Sequence, residues 1–248
     1  TGIRRCGKST LFDIYIDYLL KNGVKEDRII RLNLEDPIYF ELNSYLKLYN
    51  YVKEKINSND MYYVFIDEVQ NILEFQKAVD GLYIQKNIDL YITGSNAYLL
   101  SGELATLLSG RYVQIKMLPL SFKEYSLALP NLSLERLYKK YISIGSFPYT
   151  LKLEDEDDVD MYLKGIYDSI ILKDVMARKK FQDTQMLQSI MNFMLDNIGN
   201  IYSTNKIADT MTSNGRKISV HTVESYLTSF TEAFILYKAT RYDIKGKQ

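Results

Sequence analysis

Apolar positions along this chain alternate between two spacings. Leu11, Ile14, Tyr15, Tyr18 and Leu19 recur at the interval of one helix face, and Asn22-Gly23 supplies a stop. Residues 28–34 then read as a short apolar strand closed by Glu35-Asp36-Pro37, and 42–56 as a second amphipathic helix. The run Met61-Tyr62-Tyr63-Val64-Phe65-Ile66 is apolar without interruption until Asp67-Glu68, the pattern of a strand buried on both faces. Val69, Ile72, Leu73, Gln76 and Val79 predict a helix, 88–93 a further buried strand ending in Gly94-Ser95-Asn96, 99–108 a helix ending at Ser109-Gly110, and 112–115 a strand. Strands and helices in strict alternation predict an α/β fold with a parallel sheet.

The rest of the chain lacks that alternation. Residues 132–144 predict a helix broken by Gly145-Ser146-Phe147-Pro148. A dense acidic run follows, Glu154, Asp155, Glu156, Asp157, Asp158 and Asp160, which reads as a solvated linker or helix start. A helix over 162–180 ends in Arg178-Lys179-Lys180. Met186, Leu187, Ile190, Met191, Met194 and Leu195 then mark an amphipathic helix, Ser203-Thr204 cap a short one through Ile207 and Met211, and Ser219 caps a third over 220–230. Alternating residues over 234–242 suit a wing strand. Three helices and a hairpin give the winged helix-turn-helix layout, with His221, Thr222, Glu224 and Ser225 on or near the exposed face of the third helix. The expected division is a core at 1–125, a helical lid or linker at 126–183 and a winged-helix-like α+β domain at 184–248.

Bulk composition narrows the classes. The 248 residues are 46% hydrophobic and 25% charged, with 31 Lys+Arg against 31 Asp+Glu, so no global charge demands a polyanionic partner. From 161 to 248 there are twelve Lys/Arg and eight Asp/Glu, a mild basic bias to which Arg216, Lys217, Lys238, Arg241, Lys245 and Lys247 contribute. Cys6 is the single cysteine, which excludes an intrachain disulfide and suits a reducing cytoplasm. No apolar run approaches the ~18 residues of a membrane-spanning helix, so no membrane partner is expected.

The chemistry sits at the start of the chain. Gly2-Ile3-Arg4-Arg5-Cys6-Gly7-Lys8-Ser9-Thr10 fits G-x-x-x-x-G-K-S/T, a phosphate-binding loop. Glycines let the backbone curl so that successive N–H groups face phosphate oxygens, and the helix that follows adds positive potential. Lys8 would reach the β- and γ-phosphates, and the Ser9 hydroxyl would bind Mg²⁺. Carboxylates at the end of a buried strand suit the second half of such a site: Asp67 would hold the hydrated Mg²⁺, and Glu68 would orient or deprotonate the attacking water. Asn96, with Ser95 next, would sense the γ-phosphate; a plain turn cluster is the alternative for that trio. Such a loop belongs between a strand and a helix, yet only Thr1 precedes it, so the chain reads as truncated, with its first sheet strand missing.

Gly2 to Thr10, F-I-D-E-V-Q at 65–70, T-G-S-N at 93–96, Leu108-Ser109-Gly110-Arg111 and L-P-L-S-F-K-E-Y at 118–125 together resemble a large group of prokaryotic AAA-class P-loop ATPases of uncharacterised function. In that group a helical segment with a G-x-F-P motif, here Gly145 to Pro148, and a winged-helix-like region follow the core, often with a restriction-endonuclease-like tail; the chain therefore reads as truncated at its other end as well. The resemblance implies ATP and Mg²⁺ as cofactors. It also gives Arg111 the position of an arginine finger directed at a neighbouring subunit's γ-phosphate, which implies a homo-oligomer. The alternative for Arg111 is a surface residue at a helix end. The expected activity is ATP hydrolysis coupled to a conformational change in a region that contacts DNA or protein. Two alternatives remain: a nucleotide-dependent switch or scaffold with little turnover, and a DNA- or protein-binding module with a vestigial nucleotide site. No guanine-reading N-K-x-D signature is present, which favours ATP over GTP.

Overall fold

The computed structural model describes residues 1–95, 110–176 and 183–240. Asn96, the helix expected at 99–108 and the basic residues Arg178, Lys179, Lys180, Arg241, Lys245 and Lys247 lie outside them. The chain divides into two compact units, Thr1–Tyr162 and Leu163–Gln248. The expected 126–183 segment is thus shared between the units, with the division just past the acidic run.

In the first unit, helix α1 (Lys8–Lys21) precedes strand β1 (Ile29–Asn33), helix α2 (Tyr45–Lys55), strand β2 (Tyr62–Asp67), helix α3 (Phe75–Tyr83) and strand β3 (Ile88–Ile92). The three strands are parallel in the order β1-β2-β3. Asn33 lies opposite Asp67, and Ile66 opposite Ile92, so the chain reversals after all three strands meet at one edge of the sheet. The central strand β2 takes this position because its apolar run supplies both faces: Val64 and Ile66 pack with Leu32, Leu48, Val52 and Leu82, and Phe65 packs on the opposite face with Phe12 and Leu19.

Helix α1 corrects one expectation. Leu11, Ile14 and Tyr18 are exposed, and the packed stripe is Phe12, Tyr15, Ile16 and Leu19. Both stripes have helical spacing. Aromatic complementarity selects between them, because Phe12 meets Phe65 edge-on at 5.1 Å and Phe65 stacks on Tyr91 at 4.8 Å. The helix expected from Val69 onward is also revised. A single 3₁₀ turn, Val69–Asn71, comes first, and α3 starts only at Phe75, because Glu68 and Glu74 both take left-handed backbone angles that interrupt a continuous helix.

The strand expected at 112–115 does not form as such. Instead Gly2 and Met117 make an isolated parallel bridge, with the Met117 N–H donating to the Thr1 carbonyl at 2.7 Å. Beyond it, helix α4 (Phe122–Ala128) packs on helix α5 (Leu134–Ile144) through Phe122, Tyr125 and Tyr141. The acidic run opens helix α6 (Glu156–Ser169), where Glu156, Asp157 and Asp158 complement the partial positive charge of the first turn.

In the second unit, the π-helical segment Ile170–Met176, which continues directly from α6, precedes helices α7 (Thr184–Asp196), α8 (Thr204–Ser213) and α9 (Val220–Glu232). Ser203 and Ser219 cap α8 and α9 as expected, accepting from the Lys206 and Thr222 N–H groups at 3.2 and 3.1 Å. Leu187, Ile190, Met191, Ile207, Val223 and Phe230 form the core. His221 and Glu224 are exposed, and Thr222 and Ser225 half-buried. No strand forms over 235–240 among the described residues, so the wing is not seen there.

Candidate functional site

The loop Gly2–Gly7 connects the Met117 bridge to the N-terminus of α1. Gly2 has to be glycine for steric reasons: a Cβ there would lie 2.2 Å from the Met117 carbonyl oxygen. Gly7 is required by its backbone, with φ of 105° directly before the first helical residue, Lys8. Arg4 is tied to Glu35, beyond β1, by a 3.0 Å ion pair. Arg5 is exposed, and Cys6 is buried with its thiol pKa pushed up by desolvation, against the opposing pull of the Lys8 charge. That thiol is a packing group rather than a nucleophile. Ser9 and Thr10 are exposed at the start of α1.

Lys8 is the loop's only lysine and is 5% exposed. Its ammonium donates to the Gly2 and Ile3 carbonyls at 3.0 and 3.1 Å and lies 3.8 Å from Glu68 Oε1. Both ends of that ion pair are buried, at 4% and 10% side-chain exposure, so the charges compensate each other and removal of either strands the other in a poorly solvated position. The spacing in sequence gave no direct sign of this contact. It follows from parallel strands whose C-terminal ends share one edge with the loop.

Asp67 and Glu68 close β2 with different surroundings. Thr93, two strands' width from β1 and one residue past β3, donates its hydroxyl to Asp67 Oδ1 and accepts from the Glu68 N–H at 3.1 Å. Glu68 has φ of 54°, a strained value for a residue with a Cβ, and the Thr93 contact helps to hold it. The backbone reinforces the same junction: Thr93 N–H donates to the Ile66 carbonyl at 2.9 Å and Val69 N–H to the Thr93 carbonyl at 3.0 Å. Glu68 Oε2 accepts from the Gln70 side-chain amide, which also donates to Ser95 Oγ at 3.2 Å. Ser95 is fully buried.

The structure thus brings together Lys8, Asp67, Glu68 and Ser95, all singled out by sequence, and adds Thr93 and Gln70. Those two stood inside the T-G-S-N and F-I-D-E-V-Q motifs, but nothing in their identity distinguished them from ordinary strand-end and turn residues. Arg111 is not in this cluster. Its guanidinium is 2.9 Å from Asp80 and 5.9 Å from the Tyr83 ring, both on α3. Asn96 lies outside the described residues.

The donor set suits a magnesium nucleotide. Asp67 retains one oxygen not taken by Thr93, and Ser9 offers a hydroxyl at the helix start; hard oxygen donors of this kind match Mg²⁺. The α1 N-terminus and the loop N–H groups match phosphate.

A family model described as an AAA domain matches residues 1–126, and one described as a domain of unknown function, DUF8612, matches residues 135–247. An uncharacterised protein of Haemophilus influenzae is 42% identical over 253 residues, covering 100% of this chain and 63% of the relative. An uncharacterised protein of Methanocaldococcus jannaschii is 29% identical over 263 residues, covering 99% and 57%. This chain therefore spans about three-fifths of the length of these relatives. The solved structure of the Aeropyrum pernix ORC1 protein in complex with DNA matches at 13% identity and a TM-score of 0.39, over 94% of this chain and 76% of that one, a likeness too weak to carry an argument. With a parallel α/β sheet, a G-x-x-x-x-G-K-S loop and an AAA-domain match over its first half, this chain belongs to the AAA domain family.

Proposed function

We propose that the first unit binds ATP and hydrolyses it. The observation that carries this reading is the buried contact between Lys8 and Glu68, 3.8 Å apart, which joins the loop's lysine to the strand-end carboxylate in one cluster. Lys8 now uses its donors on the Gly2 and Ile3 carbonyls. Phosphate oxygens are stronger acceptors for an ammonium than these neutral carbonyls, so nucleotide binding draws Lys8 toward the β- and γ-phosphates. Glu68 Oε1 is thereby released to face water. The water oxygen attacks the γ-phosphorus, its proton passes to Glu68, the bond to the bridging oxygen breaks, and ADP and inorganic phosphate leave. Mg²⁺, held by Ser9 and Asp67, would neutralise charge on the phosphate oxygens. Residues 184–248 are read as the region that contacts DNA or protein, with His221, Thr222, Glu224 and Ser225 on its third helix available to a partner.

The test is ATP turnover and equilibrium nucleotide binding for wild type, Lys8→Ala and Glu68→Gln, with and without duplex DNA. Lys8→Ala is expected to lose nucleotide binding. Glu68→Gln is expected to bind ATP and turn it over about 10²–10⁴-fold more slowly, the usual contribution of a positioned general base. Equal turnover in wild type and Glu68→Gln would refute the assignment. Stimulation by DNA that weakens steeply with salt would identify the partner as nucleic acid; its absence leaves a protein partner.

A further inference from the structure

The Glu68 cluster contains a group that the reaction above leaves without a task, the Gln70 carboxamide. The two oxygens of Glu68 have different neighbours: Oε1 faces Lys8 at 3.8 Å, and Oε2 is held by Gln70 Nε2. Gln70 is itself anchored to Ser95, fully buried beyond the end of β3, through the same nitrogen at 3.2 Å. Its other end is unlike that of a structural glutamine. Gln70 Oε1 is buried and has no hydrogen-bond partner among the described residues, whereas buried amides kept for architecture satisfy both ends. The left-handed turn at Glu68 and the 3₁₀ turn Val69–Asn71 set this amide over the carboxylate at the expense of one of its own hydrogen bonds.

We propose that Gln70 is a positioning residue for ATP hydrolysis, one that ties Glu68 Oε2 to the end of β3 so that Oε1 alone is presented to the attacking water. The division of labour follows from what each neighbour does on nucleotide binding. Lys8 departs toward phosphate, and a carboxylate left with no second tether rotates freely; Gln70 removes that freedom by holding one oxygen. Because Gln70 also bonds Ser95, a displacement at the end of β3 is transmitted to the base. The proposal rests on the reading of Glu68 as the base.

Turnover, equilibrium binding of a fluorescent ATP analogue, and thermal unfolding of the full chain test it in wild type, Gln70→Leu, Gln70→Glu, Glu68→Gln and the Gln70→Leu/Glu68→Gln double variant. Gln70→Leu is expected to lower kcat about 10²-fold, the scale of an ångström-level misplacement, while KM and analogue affinity stay within about twofold of wild type. Its Tm is expected to fall by no more than a few degrees, because leaving Glu68 Oε2 and Ser95 Oγ without their donor is partly offset by removal of a buried oxygen that has no partner among the described residues. Gln70→Glu keeps the side-chain length but replaces the donor with a second carboxylate, and is expected to lose kcat similarly. In the Glu68→Gln background, Gln70→Leu should cost nothing further, since it acts through the base it positions. Wild-type kcat in Gln70→Leu, alongside a crippled Glu68→Gln, overturns the role of Gln70 and leaves the hydrolase reading standing. A fall in kcat accompanied by lost analogue binding and a larger fall in Tm overturns it in favour of a structural role. Wild-type protein that binds the analogue without turning ATP over overturns the hydrolase reading and this proposal together.

Discussion

The Thr93 hydroxyl links three parts of the site with one oxygen, donating to Asp67 and accepting from the backbone of Glu68. Thr93 is 6% exposed, so neither partner has ready access to replacement water. Thr93→Val is nearly isosteric and removes only the hydroxyl. It leaves a buried carboxylate oxygen and a buried N–H without their partner, and the expected cost is about 1–3 kcal/mol of stability, measured by denaturant unfolding. Thr93→Ser retains the oxygen and should recover most of that loss. The pair also separates architecture from chemistry, because Thr93→Val loosens the strained Glu68 backbone without touching its carboxylate. Equal stability of the Val and wild-type proteins would show that the contact holds nothing in place.

At the scale of elements, α4 offers a clear pH dependence. Ser121 accepts from the Glu124 N–H at 3.3 Å, and Glu124 accepts in return from the Ser121 hydroxyl and N–H at 2.7 and 2.8 Å, a reciprocal capping box. The Ser121 hydroxyl and then its N–H hold the Glu124 pKa below the ordinary carboxylate value. A carboxylate with a lowered folded-state pKa contributes stability above its unfolded value, about 4.3, and loses it as pH falls through the folded one. Ser121→Ala should therefore lower the Tm at neutral pH by about 2–4 °C, and that difference should shrink below about pH 4. A difference that stays constant from pH 7 to 3 would sever the link to Glu124. The Ser203 and Ser219 caps were readable in the sequence because a cap is local chemistry; S-F-K-E is as local, but it stood out only as part of the L-P-L-S-F-K-E-Y motif. Strand β2 was equally legible, since a short uninterrupted apolar run closed by carboxylates is the pattern of a strand covered on both faces. The packed face of α1 was not, because Leu11, Ile14 and Tyr18 have the same period as Phe12, Tyr15 and Leu19, and the choice between stripes belongs to Phe65 and Tyr91 on the sheet. Within the site, Lys8, Asp67 and Glu68 stood out by motif. Gln70 and Thr93 did not, because their partners are fixed by the left-handed turn at Glu68 and by the pairing of β2 with β3.

For the whole molecule, the residue that bears on assembly is Arg111. Its guanidinium pairs with Asp80 at 2.9 Å, with side-chain exposures of 48% and 39%, and lies over the Tyr83 ring at 5.9 Å. An ion pair this exposed is worth about 0–1 kcal/mol, so Asp80 restrains Arg111 only weakly and a stronger acceptor can take it away. The γ-phosphate of a nucleotide bound to an adjacent copy would be such an acceptor, the role that the family resemblance implies for Arg111 in a homo-oligomer. Two inactive variants distinguish that role from a surface contact. Arg111→Ala keeps its own Glu68 but offers no arginine to a neighbour; Glu68→Gln keeps the arginine but lacks the base. Mixed in equal amounts in a ring or filament, about a quarter of the interfaces place an intact Glu68 against an intact Arg111, so about a quarter of wild-type turnover should return. Asp80→Ala, which frees Arg111 without removing it, should leave turnover intact or raise it. Arg111→Ala as active as wild type would leave Arg111 as a surface contact of α3 alone, and an inactive Arg111→Ala with no recovery at any mixing ratio would rule out a finger acting between subunits.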